Sequence, residues 1–475
     1  MRLFFGMLIV VASIGFAEPT VPPFGPGERV AFIGDSITHG GMYRPYIETF
    51  YATRFPERRV VTFNVGISGD SAKGGFERSS LTGEGFWESD LRRYKPTAAV
   101  IMLGMNDAGG AQFESYKTAE ELERQNVQLV GWYRSNYARM LDNLEAQGLQ
   151  SIWLVKSSPY DQTLVDPSAR KNLVAFGTGK NDLIVRMGKE VLDVEAASRT
   201  LPVIDFNTPM LAINAKQQAA DPAFSIIGMD RVHPGSDGHM VMAYVFLKAQ
   251  GLRGPVATTV IDAGQMSVDS VFNCSVVRLE KNGAGLRFGY LAESLPFPRQ
   301  PYQAVAGLIP FESEFNQEVL RVHGLADGRY ALIMNGVTAG VFTSGELVAG
   351  VNMALLDLSP QVIQANQVLK LCRERAQLSG KIRDVVWTDG WLRAIDGLDR
   401  GNVQSCKEIV GRILIGEIPA GMKGPLTGYT RGLLQNYLEN AGRYDELLQE
   451  LESLTEPLYA EARPQMHTVE IKPEF

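Results

Sequence analysis

The segment "FIGDSITHG" at residues 32–40 carries Gly34-Asp35-Ser36 behind an apolar run, and "NVGISGDSAKGG" repeats the triplet as Gly69-Asp70-Ser71. A serine hydroxyl attacks a carbonyl only when a base takes its proton, so a reactive serine here needs a histidine. The chain has five: His39, His233, His239, His323 and His467. His233 follows Asp230 by three residues in "DRVHPGSDGH". One turn of chain can bring that carboxylate against imidazole Nδ1 and leave Nε2 for a hydroxyl. Acyl transfer also needs donors for the charge that develops on the carbonyl oxygen. Asn106, in "LGMNDAGG", offers a side-chain NH2, and Gly69 is small enough for its N–H to approach a substrate. A second Asn-Asp pair, Asn181-Asp182, opens an amphipathic stretch and reads as a helix N-terminus instead. The chemistry these types support is acyl transfer through a serine nucleophile.

Position separates the two serines. Short apolar runs at 29–33, 59–65, 98–103, 151–155 and 201–206 are divided by longer stretches, amphipathic at 43–55, 126–147 and 182–197. Continuous apolar runs suit parallel strands covered on both faces. Their alternation with helical patterns predicts a doubly wound α/β domain, whose ligands bind at the carboxyl ends of the strands. Ser36 follows the first run at once, whereas Ser71 lies six residues past Val65 in a loop. Asn106 follows the third run, and Asp230 and His233 lie between the last run and a helical stretch. This placement favours Ser36.

Taken in order, "FIGDSITHG", "NVGISGD", "LGMND" and "DRVH" resemble the four blocks of the SGNH hydrolases, also called GDSL esterases or lipases. The resemblance spans residues 28–250. It implies a flavodoxin-like three-layer α/β/α sandwich, with Ser36 as nucleophile and Asp230 and His233 as its catalytic partners. It places the oxyanion hole on the N–H groups of Ser36 and Gly69 and the side chain of Asn106, with no metal and no cofactor. "SSPYDQT" at 157–163 is similar to one branch of exported bacterial members, which points to O-acetyl groups on carbohydrates, in a small molecule or a polysaccharide. A lipase or lysophospholipase of the same family and a non-catalytic glycan-binding protein are the alternatives.

Several histidines and acids have blander readings. His39 suits a packing or surface role in the first helical turn, and His239 falls on the helix after His233. Asp107 reads as a brace for the Asn106 loop, and the resemblance implies a supporting, not catalytic, role for Asp35. Arg44, Trp87, Trp132 and Tyr160 can touch a sugar, although aromatic residues are more often core.

The remaining chain sets the frame. Arg2, the apolar core from Leu3 to Ile14 and the small residues Gly15 and Ala17 predict a signal peptide over 1–17, hence a secreted or periplasmic protein. The catalytic domain is expected over 26–252, a small β-rich module over 255–346, with a hairpin turn at Asn335-Gly336, and a mostly helical region over 347–475. Ser359-Pro360 is a helix start, and the C-terminal parts read as accessory or packing elements. Cys274, Cys372 and Cys406 make no disulfide framework, though one pair could bridge; Cys372, in a helical apolar stripe, reads as a buried thiol. A net charge of −7 without basic blocks argues against nucleic acid and anionic membranes as partners. No later run of 18 apolar residues predicts an integral membrane segment. Nothing in the sequence sets an oligomeric state.

Overall fold

The computed structural model describes residues 21–80, 87–149, 151–417 and 426–474, with backbone alone for 87–89. The expected signal peptide lies outside these residues. Five apolar runs form one parallel sheet: β1 (Arg29–Gly34), β2 (Val61–Gly66), β3 (Ala98–Met102), β4 (Ser151–Lys156) and β5 (Val203–Asp205). Their spatial order is 2-1-3-4-5, the flavodoxin-like order. Every residue of β2 and β3 is buried, which is why these runs lack polar alternation. Gly34 pairs with Gly66 on one side and Met102 on the other, so the first three strands end at one level.

Helices cover both faces of this sheet. They are α1 (Tyr43–Arg54), α2 (Ala72–Ser79), α3 (Ala119–Ala146), α4 (Lys180–Arg199, with a π turn at Gly188–Leu192) and α5 (Ser236–Ala249). Leu122, Val130, Tyr133, Tyr137, Met140, Leu141 and Leu144 give α3 its buried stripe. It starts seven residues before the expected 126, because Thr118 caps it and its first turns, "AEELERQ", are too polar to show apolar periodicity.

The C-terminal half builds a second core between two sheets. One has the order β8-β9-β14-β11-β12: β8 (Cys274–Asn282), β9 (Gly285–Ala292), β11 (Arg329–Met334), β12 (Val337–Thr343) and β14 (His467–Pro473). The other has the order β13-β10-β6-β7: β6 (Ala257–Asp262), β7 (Ser267–Phe272), β10 (Glu318–His323) and β13 (Val351–Asn352). Met334 pairs with Val337, and Asn335 and Gly336 between them have φ of 49° and 83°, as a type I′ hairpin turn requires.

The β-rich stretch and the mostly helical region are joined across position 346/347. The last strand, β14, returns from the helical region and fills the middle of the larger sheet, pairing with β9 and β11. Its inward residues are only His467, Val469 and Ile471, a pattern too short to stand out at a chain end. Helices α6 (Pro360–Trp391), α7 (Val403–Leu414), α8 (Gly428–Asn440), α9 (Tyr444–Ser453) and α10 (Thr455–Glu461) lie between. Of these, α6 packs on α1 and β2, and its Ala365, Val368, Cys372, Ile382 and Val386 belong to the core of the α/β domain. All three cysteines are buried free thiols, so no pair bridges.

Candidate active site

The first site element is the sharp turn after β1. A Cβ on Gly34 would lie 2.2 Å from Thr38 Oγ1 and 2.9 Å from the Met102 carbonyl, so only glycine fits. The one-turn helix Ser36–His39 begins there, with the Asp35 carboxylate accepting from the Ile37 N–H at 2.9 Å. Asp35 is fully buried, and burial pushes its carboxyl up to about 7. This cap leaves Ser36 half-buried at the carboxyl end of β1, pointing at the loop before α5.

That loop brings the histidine. Ser36 Oγ lies 2.7 Å from His233 Nε2, and His233 Nδ1 lies 2.5 Å from Asp230 Oδ2. The other oxygen of Asp230 accepts from the N–H groups of Val232 (3.0 Å) and His233 (2.9 Å), so the carboxylate is locked to its own turn. Burial raises the Asp230 carboxyl, but the hydrogen bonds from His233 and Val232 outweigh it and bring it down to about 2. The Asp230 hydrogen bond in turn raises His233 above its ordinary value. Arg231 has φ of 65°, and its buried guanidinium donates to the carbonyls of Asp161, Leu164 and Arg170. Sequence reasoning passed over Arg231, because an arginine beside an aspartate in a loop reads as solvent-facing.

The oxyanion candidates come from two further loops. Gly69 is exposed with φ of 83°. Among the described residues, neither its N–H nor that of Ser36 is paired with an acceptor. Asn106 donates one amide hydrogen to the Asp70 carbonyl at 2.7 Å, which leaves the other hydrogen for a ligand. Asp107 accepts the Ala72 N–H at 2.9 Å and pins the start of α2 to the Asn106 loop; burial pushes its carboxyl up to about 7. Ser71 precedes α2, its N–H held by Asp70 Oδ1, and no histidine among the described residues bonds to it.

Other side chains singled out in the sequence fall elsewhere. Arg44 is buried against Glu48 and Thr62, and Tyr160 is buried with its hydroxyl on the Leu173 N–H, so neither reaches a ligand. Trp132 is 54 % exposed and lines a cavity of about 430 Å³ together with Ser71, Asn106 and Asp107. The side chain of Trp87 lies outside the described residues. His239 is buried on α5, stacked on Tyr43, and burial pushes it down to about 4. His39 is buried too, with Asp384 and Ser68 on its two nitrogens. Among the described residues, side chains at metal-ligand spacing are Asp262, Asp269 and His323, which sit on β6, β7 and β10 and not in this site.

A flavodoxin-like sheet with these groups at its carboxyl edge defines a carboxylic ester hydrolase. Residues 32–241 match the GDSL-like lipase/acylhydrolase family, so this region is an SGNH hydrolase domain. It is similar to an acetylxylan esterase of Geobacillus stearothermophilus, 25% identical over 244 residues, which covers 48% of this chain and 95% of that one. It is also similar to the solved structure of BT4096, a gut microbial diltiazem-metabolizing enzyme. That likeness has a TM-score of 0.83 and 29% identity, and covers 96% of this chain and 100% of that chain. The C-terminal β and helical parts therefore recur with the α/β domain in BT4096.

Proposed function

We propose that this chain is an exported esterase that removes O-acetyl groups from carbohydrates. The observation that carries the chemistry is the unbroken hydrogen-bonded chain Ser36–His233–Asp230 at the carboxyl end of β1. Neutral His233 takes the Ser36 proton at Nε2 as Oγ attacks the ester carbonyl. The tetrahedral oxyanion accepts from the N–H groups of Ser36 and Gly69 and the free amide hydrogen of Asn106. His233 returns the proton to the leaving alcohol, and acetyl-Ser36 remains. Water, deprotonated by His233, then releases acetate. Asp230 fixes the tautomer and stabilises the imidazolium.

The substrate class rests on three supports. The similarity to an acetylxylan esterase points to acetyl on sugar. The exposed indole of Trp132 beside Asn106 offers a flat face on which a sugar can stack. The signal peptide expected over 1–17 would suit an exported enzyme meeting polymers. The test is acetate release from a panel of acetylated saccharides and polysaccharides, with Ser36→Ala as control. Preference for long acyl chains over acetyl would overturn the acetyl assignment. Glycan binding without turnover of any activated acetyl ester would overturn the enzyme mechanism.

Two further outcomes follow from the geometry. Asn106→Ala is expected to lower kcat by ~10²–10³, the usual loss for one oxyanion donor, with KM little changed. The acid limb should report His233. The base must be neutral, and the Asp230 contact raises its pKa above 6.5, so kcat/KM should fall as pH drops through a midpoint above 6.5. Asp230→Asn removes the anion that favours the imidazolium, so the midpoint should move to lower pH while the plateau drops. A midpoint unmoved by Asp230→Asn would assign that limb to another group, with Asp35 the first candidate.

A further inference from the structure

Residues 67–70 form a β-turn, with the Asp70 N–H on the Ile67 carbonyl at 3.0 Å and Gly69 at φ of 83° in the third position. A positive φ there marks type II; type I differs by a flip of the central peptide, here Ser68–Gly69. That peptide carries the proposed oxyanion donor, the Gly69 N–H. Glycine permits both turn types, and a Cβ on Gly69 would meet no atom within 4 Å, so packing does not choose between them. The flanks are anchored regardless: Ile67 N–H on the Gly34 carbonyl at 2.9 Å, and the Asp70 carboxylate on Arg78.

What chooses comes from the far end of the chain. Trp387 Nε1 on α6 donates to the Ser68 carbonyl at 3.0 Å. In a trans peptide the C=O and N–H point in opposite directions, so holding the Ser68 carbonyl against α6 aims the Gly69 N–H away from it. The Ser68 N–H donates to His39 Nδ1 at 3.1 Å, so His39 Nδ1 is an acceptor and Nε2 carries the hydrogen given to Asp384 Oδ1 at 2.9 Å. The Ser68 hydroxyl meets Tyr429, on α8. Both polar groups of the Ser68 backbone are thus fixed, directly or through His39, by side chains of α6.

We propose that Trp387 is a positioning residue of the reaction: its indole N–H holds the 67–70 turn as type II and so points the Gly69 N–H at the oxyanion. This rests on the esterase reading above. It gives the C-terminal helix a place in the active site, beyond packing.

The test is steady-state kinetics on an activated acetyl ester with the full chain. Trp387→Phe keeps a ring to stack on Trp391, which lies nearly parallel at 5.8 Å, and loses the N–H together with part of the indole ring. The expected result is a fall of roughly tenfold or more in both kcat and kcat/KM, short of the 10²–10³ for outright loss of a donor, with KM within about twofold. Gly69→Ala disfavours the same turn through its backbone and should give the same signature, even where Trp387→Phe does not fold. The double variant should lose less than the product of the single losses, because both act on one peptide. A wild-type kcat in Trp387→Phe, a rise in KM at constant kcat, or a loss that tracks a lowered Tm each overturns the proposal. Ser36→Ala, measured alongside, separates the two readings. If it is inactive while Trp387→Phe is fully active, only the positioning role falls; if it retains turnover, the esterase mechanism falls and the positioning role with it.

Discussion

Ser36→Ala is expected to lower kcat on an activated acetyl ester by ~10⁴ or more, while Ser71→Ala stays near the parent enzyme. The two serines share a triplet, so the comparison isolates context. Ser36 has a base at 2.7 Å that is itself oriented by a carboxylate; the described hydrogen bonds of Ser71 are made by its backbone, to the Asp70 carboxylate and from the Gly75 N–H, and none involves a histidine. The substitution at Ser36 removes one oxygen from a half-buried position and leaves the Asp35 cap intact, because that cap uses the Ile37 backbone. Folding should therefore be unaffected, and near-identical thermal unfolding of the two variants checks this. Residual turnover in Ser36→Ala is expected from the remaining oxyanion donors acting on a water attack. An inactive Ser71→Ala beside an active Ser36→Ala would reverse the assignment.

How much of this was readable in the sequence depended on range. The strands were readable because burial on both faces writes a continuous apolar run, and four of the five runs correspond to strands five or six residues long. The run at 201–206 shortened to Val203–Asp205, since Pro202 has no N–H to give a neighbouring strand. Asp230 and His233 were readable as a pair because their contact spans three residues. The contact between His39 and Asp384 spans 345 residues, and that of Ser68 with Trp387 spans 319. No local pattern carries such pairings: Trp387 looks like any aromatic on a helix until α6 is laid against the Ser68 loop. Arg44 shows the reverse limit. Its type suggests solvent or ligand, and only the fold reveals Glu48 and Thr62 closing around it.

The same long-range dependence makes Arg375→Ala the largest expected loss of stability, about 3–5 kcal/mol. Arg375 and Glu48 have side chains with 0 % exposure, and Nε meets Oε1 at 3.2 Å. Arg375 also donates from Nη1 to the Leu451 carbonyl at 2.7 Å and to Thr455 Oγ1 at 3.0 Å. One side chain on α6 thus joins α1 of the α/β domain to the ends of α9 and α10. Truncation leaves Glu48 buried with Arg44 at 3.4 Å and the Thr62 N–H at 3.1 Å as its remaining partners, and leaves two acceptors on the helical side unfilled. The retained Arg44 contact argues for the lower part of the range. Arg373, two residues earlier, reaches Gln300 and Tyr46 near the surface and no buried carboxylate among the described residues, so Arg373→Ala should change stability by no more than about 0.5 kcal/mol. Urea unfolding of both variants, followed by intrinsic fluorescence and by esterase activity, decides the matter. Because α6 also holds the Ser68 peptide, activity in Arg375→Ala should be lost at or before the fluorescence midpoint. Equal midpoints for the two arginine variants would show that the Glu48 pair is not buried as described, and would detach α6 from the stability of the site it touches.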